Sequence, residues 1–234
     1  MARIARVVVP EFPHHIIQRG NRRQKVFFKE DDYREYLRFL NRYSEKFKVD
    51  ILVYCLMPNH IHLIAIPHED GSLAQAIGET HRNYTRFINF REKWKGYLWQ
   101  GRFLSYVLDE TYLLAATRYI LLNPVKAKMV NKPWDYKWSS ARQHMMLDNS
   151  FPVKDSLLRG LAGNWEKFLN TASGDDDIRL LQLHERTGRP LGGTTFIEKL
   201  EDLLKINLKK KRAGRKKNAE REISIVSPDC PCVP

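Results

Sequence analysis

Two histidines flank one apolar residue in the stretch LMPNHIHLI, which runs from Leu56 to Ile64. Side chains two positions apart on a β-strand point the same way and lie about 7 Å apart along it. His60 and His62 would therefore face together on an otherwise apolar strand. Two adjacent buried imidazoles lose their hydration, and binding a metal ion or a phosphate would offset that cost. The alternative is a structural pair satisfied by hydrogen bonds.

Two further polar residues occur in the later stretch RYILLNPVKA. Tyr119 and Asn123 are four apart, hence on one face of a helix. Tyr119 could instead belong to the core, and Asn123 could simply end a helix before Pro124. Taken together with the histidines, a phenol oxygen, an amide oxygen and two imidazoles can converge on one divalent cation and one phosphate. This ligand set suits Mg²⁺ or Mn²⁺ at least as well as Zn²⁺.

The composition favours a globular nucleic-acid binder. The 234 residues carry a formal net charge of +13, and 43% of them are hydrophobic, which is enough for a substantial core. A strongly basic chain attracts polyanions, although an evenly spread charge would need no partner. No apolar run approaches the ~18 residues of a membrane span, and the N-terminus lacks the apolar length of a signal peptide. The three cysteines, Cys55, Cys230 and Cys232, argue against a disulfide framework and for the reducing cytoplasm, where the protein is expected to associate with the nucleoid.

The hydrophobic patterns predict seven elements up to about residue 124. A strand at HHIIQ precedes an amphipathic helix in KEDDYREYLRFLNRYSEKF, and a hairpin turns at Pro58 and Asn59. A long helix, an interrupted strand in GYLWQGRFLSYVLD and a helix in ETYLLAATRYILLNP follow. This order predicts an α+β, ferredoxin-like, mostly antiparallel sheet with helices on its faces.

The chain is predicted to divide into three segments. Residues 1–147 contain the sheet, 148–207 form a small helical region, and 208–234 form a basic tail. The sequence of the helical region fits a helix-turn-helix and a plain helical hairpin equally well. The tail contains LKKKRAGRKK, a run of like charge typical of disordered segments that lie along phosphates.

Arginines interleaved with aromatic residues predict contacts to DNA phosphates and bases. The turn RGNRR and the loop QGR are favoured most, because both are short, contain glycine and lie at strand ends. The alternative places the aromatics in the core and the arginines in solvent. The predicted DNA-binding residues are Arg19, Asn21, Arg22, Arg23, Arg82, Arg86, Trp99, Gln100 and Arg102.

Four blocks in this order resemble a known superfamily: IIQRGNRRQKVFF, LMPNHIHLI, LWQGRFLSYVLDE and RYILLNPVKA. They are similar to the HUH single-strand nucleases, within these to the IS200-like Y1 transposases, and most of all to the REP-associated tyrosine transposases. The resemblance covers roughly residues 10 to 145. Related enzymes carry glutamine four residues after the tyrosine, whereas this chain has Asn123, whose shorter side chain would have to approach a metal more closely.

The resemblance implies a specific chemistry. Tyr119 would attack a phosphodiester of single-stranded hairpin DNA, form a 5′-phosphotyrosine bond and free a 3′-hydroxyl. His60, His62 and Asn123 would hold Mg²⁺ or Mn²⁺, which polarises the scissile phosphate. The tyrosine is expected to have an ordinary pKa near 10. Tyr112, on nearly the same helix face, is the second candidate nucleophile, although packing is its expected role.

Two points stay open at this level. The tyrosine helix could come from the same subunit or from a partner, so a monomer or a homodimer is expected. Two other functions also fit the residues: a non-catalytic basic DNA-binding regulator of repeat sequences with structural histidines, or a metal hydrolase that uses water.

Overall fold

A four-stranded antiparallel sheet forms the centre of the protein. The computed structural model describes residues 6–147, 151–171 and 174–208. The strands lie in the order β2-β3-β1-β4, and each neighbouring pair is antiparallel. This is the predicted ferredoxin-like α+β arrangement, and the prediction is confirmed. The strands are β1 (His14–Arg19), β2 (Val49–Met57), β3 (His60–Pro67) and β4 (Leu104–Val107).

The two central strands set the register of the site. In the β1–β3 pair, Arg19 lies opposite His60 and Ile17 lies opposite His62. Because side chains alternate between the two sides of a sheet, His15, Ile17 and Arg19 share one face with the two β3 histidines. One polar face is thereby built from two strands that are distant in sequence.

Two long helices cover the opposite face of the sheet. They are α1 (Glu30–Lys46) and α2 (Ser72–Glu92), and they bury Tyr36 and Tyr84 completely against the sheet. Asp32 on α1 is fully buried, accepts hydrogen bonds from the backbone of Phe28 and Lys29, and pairs with Arg91 of α2. These contacts fix both helices, because an unpaired buried carboxylate would be costly.

Shorter helices cover the histidine-bearing face. Asp109 caps the first of them by accepting a hydrogen bond from Tyr112 N at 2.9 Å. Ile17, Ile64 and Tyr106 of the sheet pack here against Leu113. The helices along this part of the chain are α3 (Glu110–Leu121), α4 (Asn123–Lys126), α5 (Ala141–His144), α6 (Ser156–Ala162), α7 (Trp165–Asn170), α8 (Asp175–Thr187) and α9 (Thr194–Leu204).

The C-terminal helices share a core with the sheet. Leu181 of α8 is fully buried in the same cluster as α3. After α8, Leu191 N donates to Val107 O at 2.8 Å, and Gly193 N donates to Asp109 Oδ2 at 2.9 Å. Helix α9 buries Leu200 among residues of the N-terminal segment. This packing favours a helical hairpin built onto the sheet over a free-standing helix-turn-helix.

The predicted domain boundary and the predicted basic tail both stay predictions. The division at residue 147 is a prediction, and the basic run and the two C-terminal cysteines lie outside the described residues. Among the described residues, no helix is both long and apolar enough to cross a bilayer.

Candidate active site

The histidine pair lies on the covered polar face of β3. The ring centroids of His60 and His62 are 5.1 Å apart, so the predicted shared face is observed. His62 is 2% exposed, whereas His60 is half-buried. His60 Nδ1 donates a hydrogen bond to Asn59 Oδ1 at 2.6 Å. This bond leaves the outer nitrogen, Nε2, of His60 as the one carrying a free lone pair.

Burial keeps both imidazoles neutral. Desolvation, aided by the Arg19 charge, lowers the pKa of His60 to about 4. Desolvation, together with neighbouring charges, lowers the pKa of His62 well below its ordinary value. Neutral imidazoles are the form that coordinates metal ions, so both residues are ready to act as ligands at neutral pH.

A third histidine, which the sequence did not single out, supports the pair. His15 Nε2 lies 3.0 Å from His62 Nδ1, and His15 Nδ1 lies 2.7 Å from the Tyr106 hydroxyl. Hydrogen bonding of the remote ring nitrogen orients histidine ligands in metal sites. The sequence did contain a signal for His15: in HHIIQRG, His15, Ile17 and Arg19 are every second residue of a strand and so share one face.

Helix α3 brings Tyr119 to this cluster. Its ring centroid lies 5.9 Å from that of His62 and 6.5 Å from that of His15, and the residue is 8% exposed. One chain therefore brings the tyrosine and the histidines together. Burial and the nearby Glu185 carboxylate raise the pKa of Tyr119 from its unperturbed value near 10 to about 12.

The other two helix residues are placed differently. Asn123 begins α4, and its side-chain amide donates to Tyr119 O at 3.3 Å, so the amide group lies against the last turn of α3. Its role as a metal ligand stays a prediction. Tyr112 is half-buried and borders a separate cavity with Leu180 and His184. That position favours packing over catalysis for Tyr112.

An arginine-rich cleft of about 620 Å³ opens beside Tyr119. The turn after β1 and the loop before β4 form one wall, and α8 forms the other. Four guanidinium groups at its border give the cleft a positive charge suited to phosphates. The cleft is lined by Ile17, Gln18, Arg19, Arg23, Gln100, Gly101, Arg102, Leu104, Tyr119, Gln182, Glu185 and Arg186.

The turn after β1 presents its arginines because Gly20 allows a close backbone approach. A Cβ atom at Gly20 would lie 2.3 Å from Gln24 O. Arg22 and Arg23 follow in a 3₁₀ turn with positive φ angles, and both side chains are exposed. Asn21, which begins that turn, is half-buried.

A second cavity, of about 670 Å³, adjoins the cleft through Arg102. Arg82 and the exposed ring of Tyr97 also border it. Trp99 is only 6% exposed, and its ring packs 4.7 Å from that of His81, so the structure favours a core role for Trp99 over the predicted base stacking. Arg86 is exposed on α2.

A carboxylate absent from the sequence prediction completes the cluster. Among the described residues, ligand atoms of His15, His62 and Glu185 all lie within 4.8 Å of one another. His60 is not part of this mutual group. Glu185 belongs to α8, far from the motifs along the chain, so no local spacing could have linked it to Tyr119.

Comparison with known proteins places this geometry in a family. The family model described as "Transposase IS200 like" matches residues 8–123. Residues 8–123 belong to the IS200-like transposase family. The matched segment contains His60, His62 and Tyr119 and ends at Asn123, whereas Glu185 lies beyond it.

Two proteins similar to this chain refine the comparison. A Haemophilus influenzae protein named "Putative REP-associated tyrosine transposase" is 30% identical over 107 residues, which cover 41% of this chain and 61% of the relative. The alignment therefore spans less than two thirds of that protein. A solved structure of a REP-associated tyrosine transposase bound to a REP hairpin matches with a TM-score of 0.55 and 19% identity. That match covers 66% of this chain and 93% of the other, and at this identity it shows the shared fold.

Proposed function

We propose that this protein is a metal-dependent tyrosine transposase that cleaves and rejoins single-stranded DNA at REP-like hairpins through a 5′-phosphotyrosine intermediate. One observation carries the proposal: the buried Tyr119 ring lies 5.9 Å from the His62 ring and borders an arginine-lined cleft. A nucleophile, ligands for a cation and phosphate-binding groups are the three parts that such a reaction needs.

The covalent step exchanges one phosphate ester for another. The Tyr119 oxygen bonds to the phosphorus, the bond from phosphorus to the 3′-oxygen breaks, and the leaving oxygen takes up a proton. Because the ester energy is kept in the phosphotyrosine, attack by a 3′-hydroxyl can rejoin DNA without a nucleotide cofactor. The pKa of about 12 makes loss of the Tyr119 proton the difficult part of this step.

The side chains fit a divalent cation. His60 and His62 are neutral, and each has Nδ1 in a hydrogen bond, which leaves Nε2 for coordination. They would hold Mg²⁺ or Mn²⁺, with Asn123 as a further oxygen ligand. When bound, the ion would withdraw charge from the scissile phosphate and favour ionisation of the attacking hydroxyl group.

The proposed DNA path follows the arginine-lined cleft. Arg19, Arg23 and Arg102 would contact phosphates near Tyr119, and Gln100 borders the same space. We assign base stacking to the exposed Tyr97 instead of the buried Trp99. Further contacts outside the cleft are assigned to Asn21, Arg22, Arg82 and Arg86. The hairpin partner is inferred from the solved relative, which is bound to a REP hairpin.

Location and assembly complete the proposal. The expected cytoplasmic, nucleoid-associated location stays a prediction. Since one chain supplies both His62 and Tyr119, a monomer can carry the complete site. A homodimer stays the alternative prediction.

Replacing Tyr119 tests the proposal directly. End-labelled single-stranded hairpins are incubated with Mn²⁺ and the wild-type, Tyr119→Phe or Tyr112→Phe protein, and covalent adducts are separated on denaturing gels. We expect wild type and Tyr112→Phe to form the adduct, and Tyr119→Phe to bind the hairpin with unchanged affinity but to form none.

Three outcomes would contradict this assignment. An adduct with Tyr119→Phe would exclude Tyr119 as the nucleophile. Hairpin binding by wild type without cleavage of any hairpin would favour the DNA-binding regulator. Cleavage that never passes through a protein–DNA adduct would favour hydrolysis by water.

A further inference from the structure

Helix α8 places a carboxylate inside the histidine cluster. A ligand atom of Glu185 lies within 4.8 Å of one on His62 and one on His15. Glu185 Oε1 is buried and has no hydrogen-bond partner among the described residues, although the Tyr119 hydroxyl lies near the other part of this carboxylate. A buried carboxylate oxygen without a donor is costly, so its presence points to a positively charged ligand at this position.

The surrounding hydrogen bonds leave one nitrogen of His62 with a lone pair that could bind such a ligand. The Tyr106 hydroxyl donates to Leu181 O at 3.3 Å, so it accepts from His15 Nδ1. His15 Nε2 then accepts from His62 Nδ1, which leaves His62 Nε2 unprotonated. Both nitrogens of His15 are occupied in this chain of bonds, so His15 orients His62 and does not itself bind the cation.

We propose that Glu185 is a ligand of the divalent cation that His62 holds, so that the C-terminal helix α8 completes the metal site. This inference rests on the proposed function, whose ligand set contains no residue of α8. Adjacent ligands of an octahedral Mg²⁺ lie about 3 Å apart and opposite ones about 4.2 Å apart, given metal–ligand distances of about 2.1 Å. A ligand atom of His62 and one of Glu185 lie within 4.8 Å of each other, which is compatible with either arrangement around one ion.

The chemistry of the donor set agrees with this role. Carboxylate oxygen is a preferred ligand for Mg²⁺ and Mn²⁺, and it supplies the negative charge that two neutral imidazoles lack. A cation bound beside the neutral His62 would favour the deprotonated, anionic form of the Glu185 carboxylate.

Metal binding by the full-length chain tests the inference without DNA or catalysis. Mn²⁺ is titrated by calorimetry and by electron paramagnetic resonance into wild type, Glu185→Gln, His62→Ala and Glu166→Gln. Glu166 is an exposed acid on α7, so its variant makes the same charge change outside the cluster. We expect Mn²⁺ affinity to fall at least tenfold in Glu185→Gln and His62→Ala, and to change less than twofold in Glu166→Gln.

The outcomes separate this inference from the proposed function. If Glu185→Gln binds Mn²⁺ as tightly as wild type or more tightly while His62→Ala loses binding, Glu185 is not a ligand but the metal site of the proposed function stands. If wild type binds no Mn²⁺, both fail.

A spectroscopic measurement covers the case in which a variant does not fold. In wild-type protein labelled with ¹³C-carboxyl glutamate, we expect electron–nuclear double resonance to show coupling between bound Mn²⁺ and ¹³C. Lack of that coupling would overturn the inference.

Discussion

Glu185→Gln should stabilise the metal-free protein at alkaline pH. Burial raises the pKa of Glu185 from 4.5 to about 7, against the smaller opposing effects of Arg19 and Tyr119. Between these two values the unfolded chain has released the proton and the folded chain retains it. The contribution of Glu185 to stability is therefore greatest below pH 4.5 and is lost as the pH rises through 7. Glutamine does not ionise and avoids this loss.

The structure gives the size of the effect. At 1.36 kcal/mol per pKa unit, a pKa displaced from 4.5 to about 7 corresponds to at most about 3 kcal/mol. Glu185 is half-buried, so solvent reduces this figure. We expect the unfolding free energy of Glu185→Gln relative to wild type to grow by about 1–3 kcal/mol between pH 5 and pH 8.

Urea unfolding with EDTA, followed by tryptophan fluorescence, measures this difference at several pH values. Glu166→Gln, which changes an exposed acid outside the cluster, is the matched control. The reasoning is refuted if the difference for Glu185→Gln is the same at pH 5 and pH 8, or if wild type becomes the more stable protein as the pH rises.

Mn²⁺ should reverse the order of stabilities. A ligand at 100 times its Kd stabilises the folded state by about 2.7 kcal/mol, and wild type would gain more than a variant that binds weakly. The same carboxylate would thus destabilise the metal-free chain and stabilise the loaded one.

Three further substitutions test the supports of the site. Tyr106→Phe removes the hydroxyl group that forms a hydrogen bond with His15 Nδ1 at 2.7 Å. It should weaken Mn²⁺ binding about tenfold in a titration, and it should change the unfolding free energy by only about 1 kcal/mol. Arg91→Ala leaves the fully buried Asp32 carboxylate without its cation and should lower the unfolding free energy by about 2–4 kcal/mol in urea, whereas Arg91→Lys should lose less than half as much. Gly20→Ala forces a Cβ atom to 2.3 Å from a backbone oxygen, so it should distort the turn that carries Arg22 and Arg23. Hairpin binding should weaken at least threefold in a gel-shift assay. Unchanged affinity would show that this turn does not contact DNA.

Helix α8 packs against residues of the segment 8–123, so a truncation that removes α8 would affect that segment as well. Leu181 packs in the same core as α3, and Tyr106 bonds to the backbone of α8. Removing the chain after residue 147 would therefore expose the histidine-bearing face as well as remove Glu185. The helical region is part of the structure that holds Tyr119 in place.

The sequence alone determined the elements and the local placement of groups on them. Alternation along β3 is a property of each strand, so His60 and His62 had to share a face wherever the strand packed. The helical spacing of apolar residues likewise predicted α1, α2 and α3, and their order predicted the antiparallel sheet. These features depend on neighbours within about ten residues, and such patterns can be read directly.

Only the tertiary structure decided which faces meet. Pairing of β1 with β3 brought His15 to His62, and packing of α8 against α3 brought Glu185 to Tyr119. Packing against α2 on the opposite face of the sheet buried Trp99, whose sequence neighbours suggested an exposed stacking residue. Contacts between distant segments depend on how whole surfaces fit together, and the burial they create sets the pKa values and ligand geometry that no local spacing encodes.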